Sequence, residues 1–140
     1  MTSAPVVMIL NSNDDVVEML RLVLEEKGLV AVSGHIDRIR RGETSLPDIV
    51  EEHDPQVIIY DLVPPYDRSW RFLDHVRHGP AMAGRKFIMT STNARRAREI
   101  IGDVEQVFEI VGKPFDIYQI AEAVLRAVGR SDLPDNALRV

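Results

Sequence analysis

Gln56-Val57-Ile58-Ile59-Tyr60-Asp61-Leu62-Val63-Pro64-Pro65 is the stretch on which the fold turns. Val57 to Tyr60 form a short apolar run between Pro55 and Pro64. A run of this length, rich in β-branched residues and bounded by turn formers, reads as a buried strand. It shows almost no alternation, as expected of a central parallel strand covered on both faces. It ends on one carboxylate, Asp61. Pro64 and Pro65 then oppose a continuing ladder or an immediate helix. Asp61 is therefore expected at the carboxyl end of a central strand, where open α/β sheets place their ligands.

Working outward, strand and helix patterns alternate five times. Val6 to Leu10 reads as a first strand, followed by polar Asn11-Ser12-Asn13-Asp14-Asp15. Val16, Val17, Met19, Leu20, Val23 and Leu24 recur at helical spacing. Asn13 or Asp14 can cap that helix and Gly28 ends it. Leu29 to Val32 reads as a second strand. His35 to Leu46, carrying Arg38, Arg40 and Arg41, reads as a basic loop or short helical turn. Pro47 opens a short helix over Asp48 to Glu52. After the prolines, a helix is expected over Ser69 to Arg77, with a stripe of Trp70, Leu73, Val76 and Phe72. Lys86 to Thr90 reads as a fourth strand, Ala94 to Ile101 as a helix and Gln106 to Val111 as a fifth strand. Ile117, Ile120, Ala121, Val124, Leu125 and Val128 mark the last helix, closed by Gly129. Residues 1–130 are read as one domain and 131–140 as a polar tail.

This alternation implies a parallel sheet with helices on both faces. With right-handed crossovers, the flavodoxin-like doubly wound order 2-1-3-4-5 is expected. That order gathers Asn11 and Ser12, Asp61, Ser91 and Lys113 at one edge of the sheet.

The totals exclude several classes. The chain has 140 residues, 17 Lys and Arg against 22 Asp and Glu, and a net charge of −5. That balance argues against nonspecific nucleic-acid binding. The chain has no cysteine, so it has neither disulfides nor thiolate metal sites. No apolar run approaches the roughly 20 residues of a membrane span. The start, Met-Thr-Ser-Ala-Pro, lacks the features of a signal peptide, and a cytoplasmic location is expected.

The four strand ends together resemble the receiver domain of two-component response regulators. The resemblance runs from Val6 to Val128. Asp61 and Ser91 stand 30 positions apart and Ser91 and Lys113 stand 22 apart, both close to receiver spacing. Lys113-Pro114-Phe115 is similar to the family's Lys-Pro-Phe ending. Asp61-Leu62-Val63-Pro64-Pro65 resembles its Asp-Leu-x-Met-Pro. The resemblance implies a CheY-like fold and a signalling module rather than an enzyme. By it, Asp61 is the phosphoacceptor, supplied by a histidine kinase or phosphotransfer protein. Lys113 pairs with the carboxylate and later with a phosphoryl oxygen. Ser91 donates its hydroxyl to the phosphoryl group. Thr90 is a rival one residue away, and spacing favours Ser91.

The resemblance also implies Mg²⁺, with the carbonyl of Val63 and Asp61 among its ligands. Here the chain departs from the pattern. Receivers end strand one with two acids, whereas Asn11 and Ser12 stand at those positions. Loss of two negative ligands should weaken a divalent-metal site considerably. Asp14 or Asp15 could compensate if the loop runs differently. The aromatic switch residue of strand five is replaced by Ile110. Arg95, Arg96 and Arg98, with Ile110, mark the face that receivers present to downstream proteins or to a second copy. A phosphorylation-independent, receiver-like adaptor is the alternative. A flavin-phosphate site is disfavoured, because Asn11 to Asp15 carries acids and no glycine. His75 and His78, at i and i+3, are read as surface residues.

Overall fold

The computed structural model describes residues 4–113 and 116–129. The expected tail 131–140, and the Pro114-Phe115 half of the Lys-Pro-Phe motif, lie outside the described residues.

The first strand, β1 (Val6–Asn11), leads to α1 (Asp14–Glu26). Asn13 caps α1, its Oδ1 accepting from the Asp15 and Val16 N–H groups at 3.0 and 3.2 Å. Gly28 follows with φ +85°, the left-handed conformation that terminates helices. Next come β2 (Val30–His35), α2 (Ile36–Arg40) and α3 (Leu46–His53). The central strand β3 (Val57–Leu62) is buried at every position. Then follow α4 (Tyr66–Val76), a 3₁₀ turn (Pro80–Met82) and β4 (Lys86–Ser91). The chain continues through α5 (Ala94–Ile101), β5 (Val107–Gly112) and α6 (Ile117–Ala127).

All five strands join one parallel sheet in the order β2-β1-β3-β4-β5. The expected flavodoxin-like, CheY-like order is therefore the observed one. Strand alternation splits the core in two. Val7, Ile9, Val57, Ile59 and Ile88 face α1 and α6, meeting Leu20, Leu24, Ile120 and Val124. Met8, Leu10, Ile58, Tyr60, Phe87 and Met89 face α2 to α5, meeting Ile36, Leu46, Leu73 and Ala97. Among the described residues no helix is long and apolar enough to cross a membrane.

Two local readings are corrected, those of the second strand and of the helix after the prolines, and one open alternative, in the basic segment, is decided. The second strand extends to His35, beyond Ser33 and Gly34, because six residues pair in register with β1. The basic segment contains a true helical turn, α2, held by burial of Ile36 and Ile39. The helix after the prolines begins at Tyr66 rather than Ser69. Pro65 does not block it but serves as its N-cap, with extended backbone (φ −74°, ψ 125°). The Pro64–Pro65 peptide is cis.

Gly34 has a packing reason. A β-carbon there would lie 2.9 Å from Leu10 Cδ2 and 3.3 Å from Ile49 Cδ1. Leu10 is fully buried and has little room to yield. Gly34→Ala should therefore cost about 1–2 kcal/mol in urea unfolding, as overpacking of a filled core does. An unchanged midpoint would show that Leu10 moves freely.

Candidate functional site

The sheet register builds the site. Leu10 pairs with Tyr60, so Asn11 comes beside Asp61 at the next position. Asp61 pairs with Thr90, and Thr90 with Val111. Partners in register across parallel strands share a face, here the face of α1 and α6. Lys113, two residues past Val111, returns to that face. Asn11, Asp61, Thr90 and Lys113 thus form one row across the carboxyl edge of the sheet.

Asp61 is 3% exposed. Its Oδ1 lies 2.7 Å from Lys113 Nζ. The Thr90 hydroxyl donates to the same oxygen at 2.7 Å. Both contacts are short, as hydrogen bonds with an ionised partner are. Lys113 is 30% exposed at its side chain, so the ion pair joins a buried anion to a cation that still reaches water.

The structure places Thr90, and not the expected Ser91, on Asp61. Ser91 stands opposite Leu62 and so projects to the other face of the sheet. Its Oγ is buried and accepts from the Asn93 N–H at 3.0 Å. Residue spacing favoured Ser91 because it counts positions and does not resolve strand parity. Ser91 instead stabilises the turn into α5, where Asn93 caps the helix through Arg96 N–H.

Asn11 is 7% exposed, and its Oδ1 accepts from the Asn13 N–H at 2.8 Å. Ser12 is exposed beyond the strand end. Asp14 and Asp15 form the exposed first turn of α1, where acids suit the helix N-terminus. Val63 lies half-buried just after β3.

These donors do not fit the Mg²⁺ that the resemblance implies. Mg²⁺ favours anionic oxygens in an octahedron. The row offers one carboxylate, already paired with an ammonium, and one neutral amide already hydrogen-bonded. Among the described residues no group of three or more His, Cys, Asp or Glu gathers to hold a metal.

The α5 face is basic and open to solvent. Arg95, Arg96 and Arg98 are exposed. Arg96 pairs weakly with Glu99 at 3.8 Å. Arg98 Nη2 donates to the Ile110 carbonyl at 3.4 Å, and Ile110 is half-buried. Phe108, 38% exposed, has its ring centre 5.4 Å from Lys86 Nζ, which donates to the Ala127 carbonyl of α6. His75 and His78 are both exposed, and His78 faces Asp74 at 3.8 Å.

Other features were missed in the sequence. The Tyr66 hydroxyl shares a hydrogen bond with Thr92 Oγ1, tying the start of α4 to the turn after β4. Tyr60 packs away from Asp61, as strand alternation predicts, but nothing in the sequence signalled that its buried hydroxyl would lie near Arg40 of α2 without a well-formed hydrogen bond. Nothing in the composition flags such contacts, since each joins residues distant in sequence.

The strand order, the layered helices and the row at the sheet edge define a CheY-like receiver fold. Comparison with solved structures agrees. The chain is similar to a response regulator from Thermotoga maritima, at TM-score 0.70 and 15% identity, over 90% of this chain and 98% of that one. It is similar to a sensor protein from Polaromonas sp. JS666, at TM-score 0.69 and 19% identity, over 91% and 98%. The chemotaxis protein CheY4 of Vibrio cholerae matches at TM-score 0.62 and 17% identity, over 91% and 98%. At such identities the likeness is one of fold. No protein-family model matches the sequence, and no curated protein matches it.

Proposed function

We propose that the protein is a receiver-type signalling module in which Asp61 accepts a phosphoryl group and the output is a change in protein contacts. The observation that carries this is the Lys113–Asp61–Thr90 cluster at the end of the central strand. In transfer from a phosphohistidine, a carboxylate oxygen of Asp61 forms the new O–P bond. The P–N bond breaks and its electron pair leaves with the imidazole nitrogen. Protein catalysis of this step is positioning and charge neutralisation. Lys113 supplies the cation beside the incoming group, and the Thr90 hydroxyl can turn from Asp61 to a phosphoryl oxygen. The donor would be a histidine kinase or phosphotransfer protein. The exposed arginines of α5, with Ile110, would meet the downstream protein or a second copy.

The test is intact mass after incubation with a small-molecule phosphodonor, with and without Mg²⁺, beside Asp61→Asn. One added phosphate that requires Asp61 and responds little to Mg²⁺ is expected. Strong Mg²⁺ dependence would show metal donors beyond those gathered in this row.

The donor set supports a second reading. With a lone carboxylate already neutralised by Lys113, the protein can serve as an adaptor that never takes a phosphoryl group. No incorporation under any condition, together with partner capture unaffected by Asp61→Asn, would establish that reading.

A further inference from the structure

A cavity of about 340 Å³ lies between α2, the segment following β3 and the start of α4. Arg40, Val63, Pro65, Arg68, Ser69 and Phe72 line it. None of Asp61, Thr90 and Lys113 lines it.

Four features point to one kind of occupant. The wall carries two guanidinium groups and no acid. Arg68 has no ion-pair or hydrogen-bond partner among the described residues, and Arg40 meets Asp37 only at 3.8 Å and otherwise lies near the Tyr60 hydroxyl. Guanidinium groups are suited to carboxylate and phosphate oxygens, which they bind through paired N–H donors. Second, α4 opens on the cavity without a side-chain cap, since its N-cap is Pro65. The first N–H groups of such a helix need an acceptor and favour an anion. Third, Ser69 is 7% exposed, and its Oγ has no hydrogen-bond partner. A buried hydroxyl left in that state is costly, and a bound polar group relieves it. Fourth, Val63, the prolines and Phe72 supply an apolar wall. The volume falls in the lower range of small-molecule sites.

We propose that this cavity binds a small organic anion, with its charged head between Arg40, Arg68 and the α4 N-terminus and an aromatic or short aliphatic body against Phe72 and the prolines. The inference does not depend on Asp61 accepting a phosphoryl group.

The experiment is a titration of the ¹⁵N-labelled full chain with benzoate and with phenyl phosphate at constant ionic strength. Inorganic phosphate and benzyl alcohol are the controls. Saturable amide shifts at Ser69 and Phe72 are expected with at least one aryl anion, at a Kd of about 1 mM or below. Comparison of the two probes separates a carboxylate from a phosphate head. Arg40→Gln and Arg68→Gln should each weaken binding about tenfold, the worth of one charge-assisted contact. Both arginines are at the surface, so the variants should fold, and unchanged dispersion of the spectra checks this. Absence of saturable shifts with either aryl anion overturns the proposal. So does equal binding of benzyl alcohol, equal binding of inorganic phosphate, or undiminished affinity in the double arginine variant.

Discussion

Lys113→Ala should lower the stability of the protein by about 2–3 kcal/mol at neutral pH, whereas Asp61→Asn should cost under about 1 kcal/mol. The asymmetry follows from exposure. Asp61 is 3% exposed, and its Oδ1 takes both the ammonium and the Thr90 hydroxyl at 2.7 Å. Removing Lys113 leaves a buried carboxylate with a single neutral donor on that oxygen. Breaking a wholly buried pair costs about 3–5 kcal/mol. The figure is lowered here because the Lys113 side chain is 30% exposed, so water can enter the space it leaves. Removing the charge of Asp61 has a milder outcome. The amide still accepts from Thr90, and the ammonium can turn to water. Urea unfolding of the two single variants and the double variant checks this. The double variant should resemble Asp61→Asn, since the two effects share one contact. Equal costs for the two single variants would mean that the lysine stem, not its charge, sustains the site.

Tyr60 carries the second large effect. Its ring is fully buried on β3, and its hydroxyl lies near the Arg40 guanidinium without a well-formed hydrogen bond. Burial pushes the phenol up to about 12, partly opposed by the positive charge of Arg40, with Asp61 pushing it further up. A tyrosine in the unfolded chain ionises near 10. Between about pH 10 and 12 the folded state therefore holds a proton that the unfolded state has lost. Stability must then fall as pH rises through that window and is fully present below it. The loss approaches about 2–3 kcal/mol, at 1.36 kcal/mol per pH unit. Tyr60→Phe should remove this component and leave a flatter stability profile above pH 10. Other groups titrate in the same range, so the quantity to compare is the difference between the two proteins. At neutral pH the variant should be about as stable, because it deletes a buried hydroxyl whose one polar neighbour, Arg40, makes no well-formed hydrogen bond to it. Parallel profiles above pH 10 would mean that the hydroxyl finds a partner in solution.

The order of elements was legible because each relies on local pattern. The unbroken apolar run Val57 to Tyr60 requires cover on both faces, and both cores supply it. Asn13 caps α1 and Gly28 ends it for reasons contained in a few neighbouring residues. The boundaries of α4 were less legible, since Pro65 can either precede a helix or prevent one. The extension of β2 through Gly34 could not be read locally. That glycine answers to the tips of Leu10 and Ile49, which come from two other elements.

The sequence by itself determined that this chain builds a parallel sheet ending on Asp61, with Lys113 on a later strand end and Asn11 and Ser12, not two acids, at the end of the first strand. Periodicity and residue type suffice for those statements. Only the tertiary structure decided which hydroxyl meets the carboxylate. Thr90 and Ser91 are equivalent in composition and adjacent in the chain, and the β3–β4 register alone turns one toward Asp61 and the other away. It also brought Arg40 of α2 and Arg68 of α4 to one cavity. No local pattern relates residues on separate helices. Their approach is set by how the helices pack on the sheet.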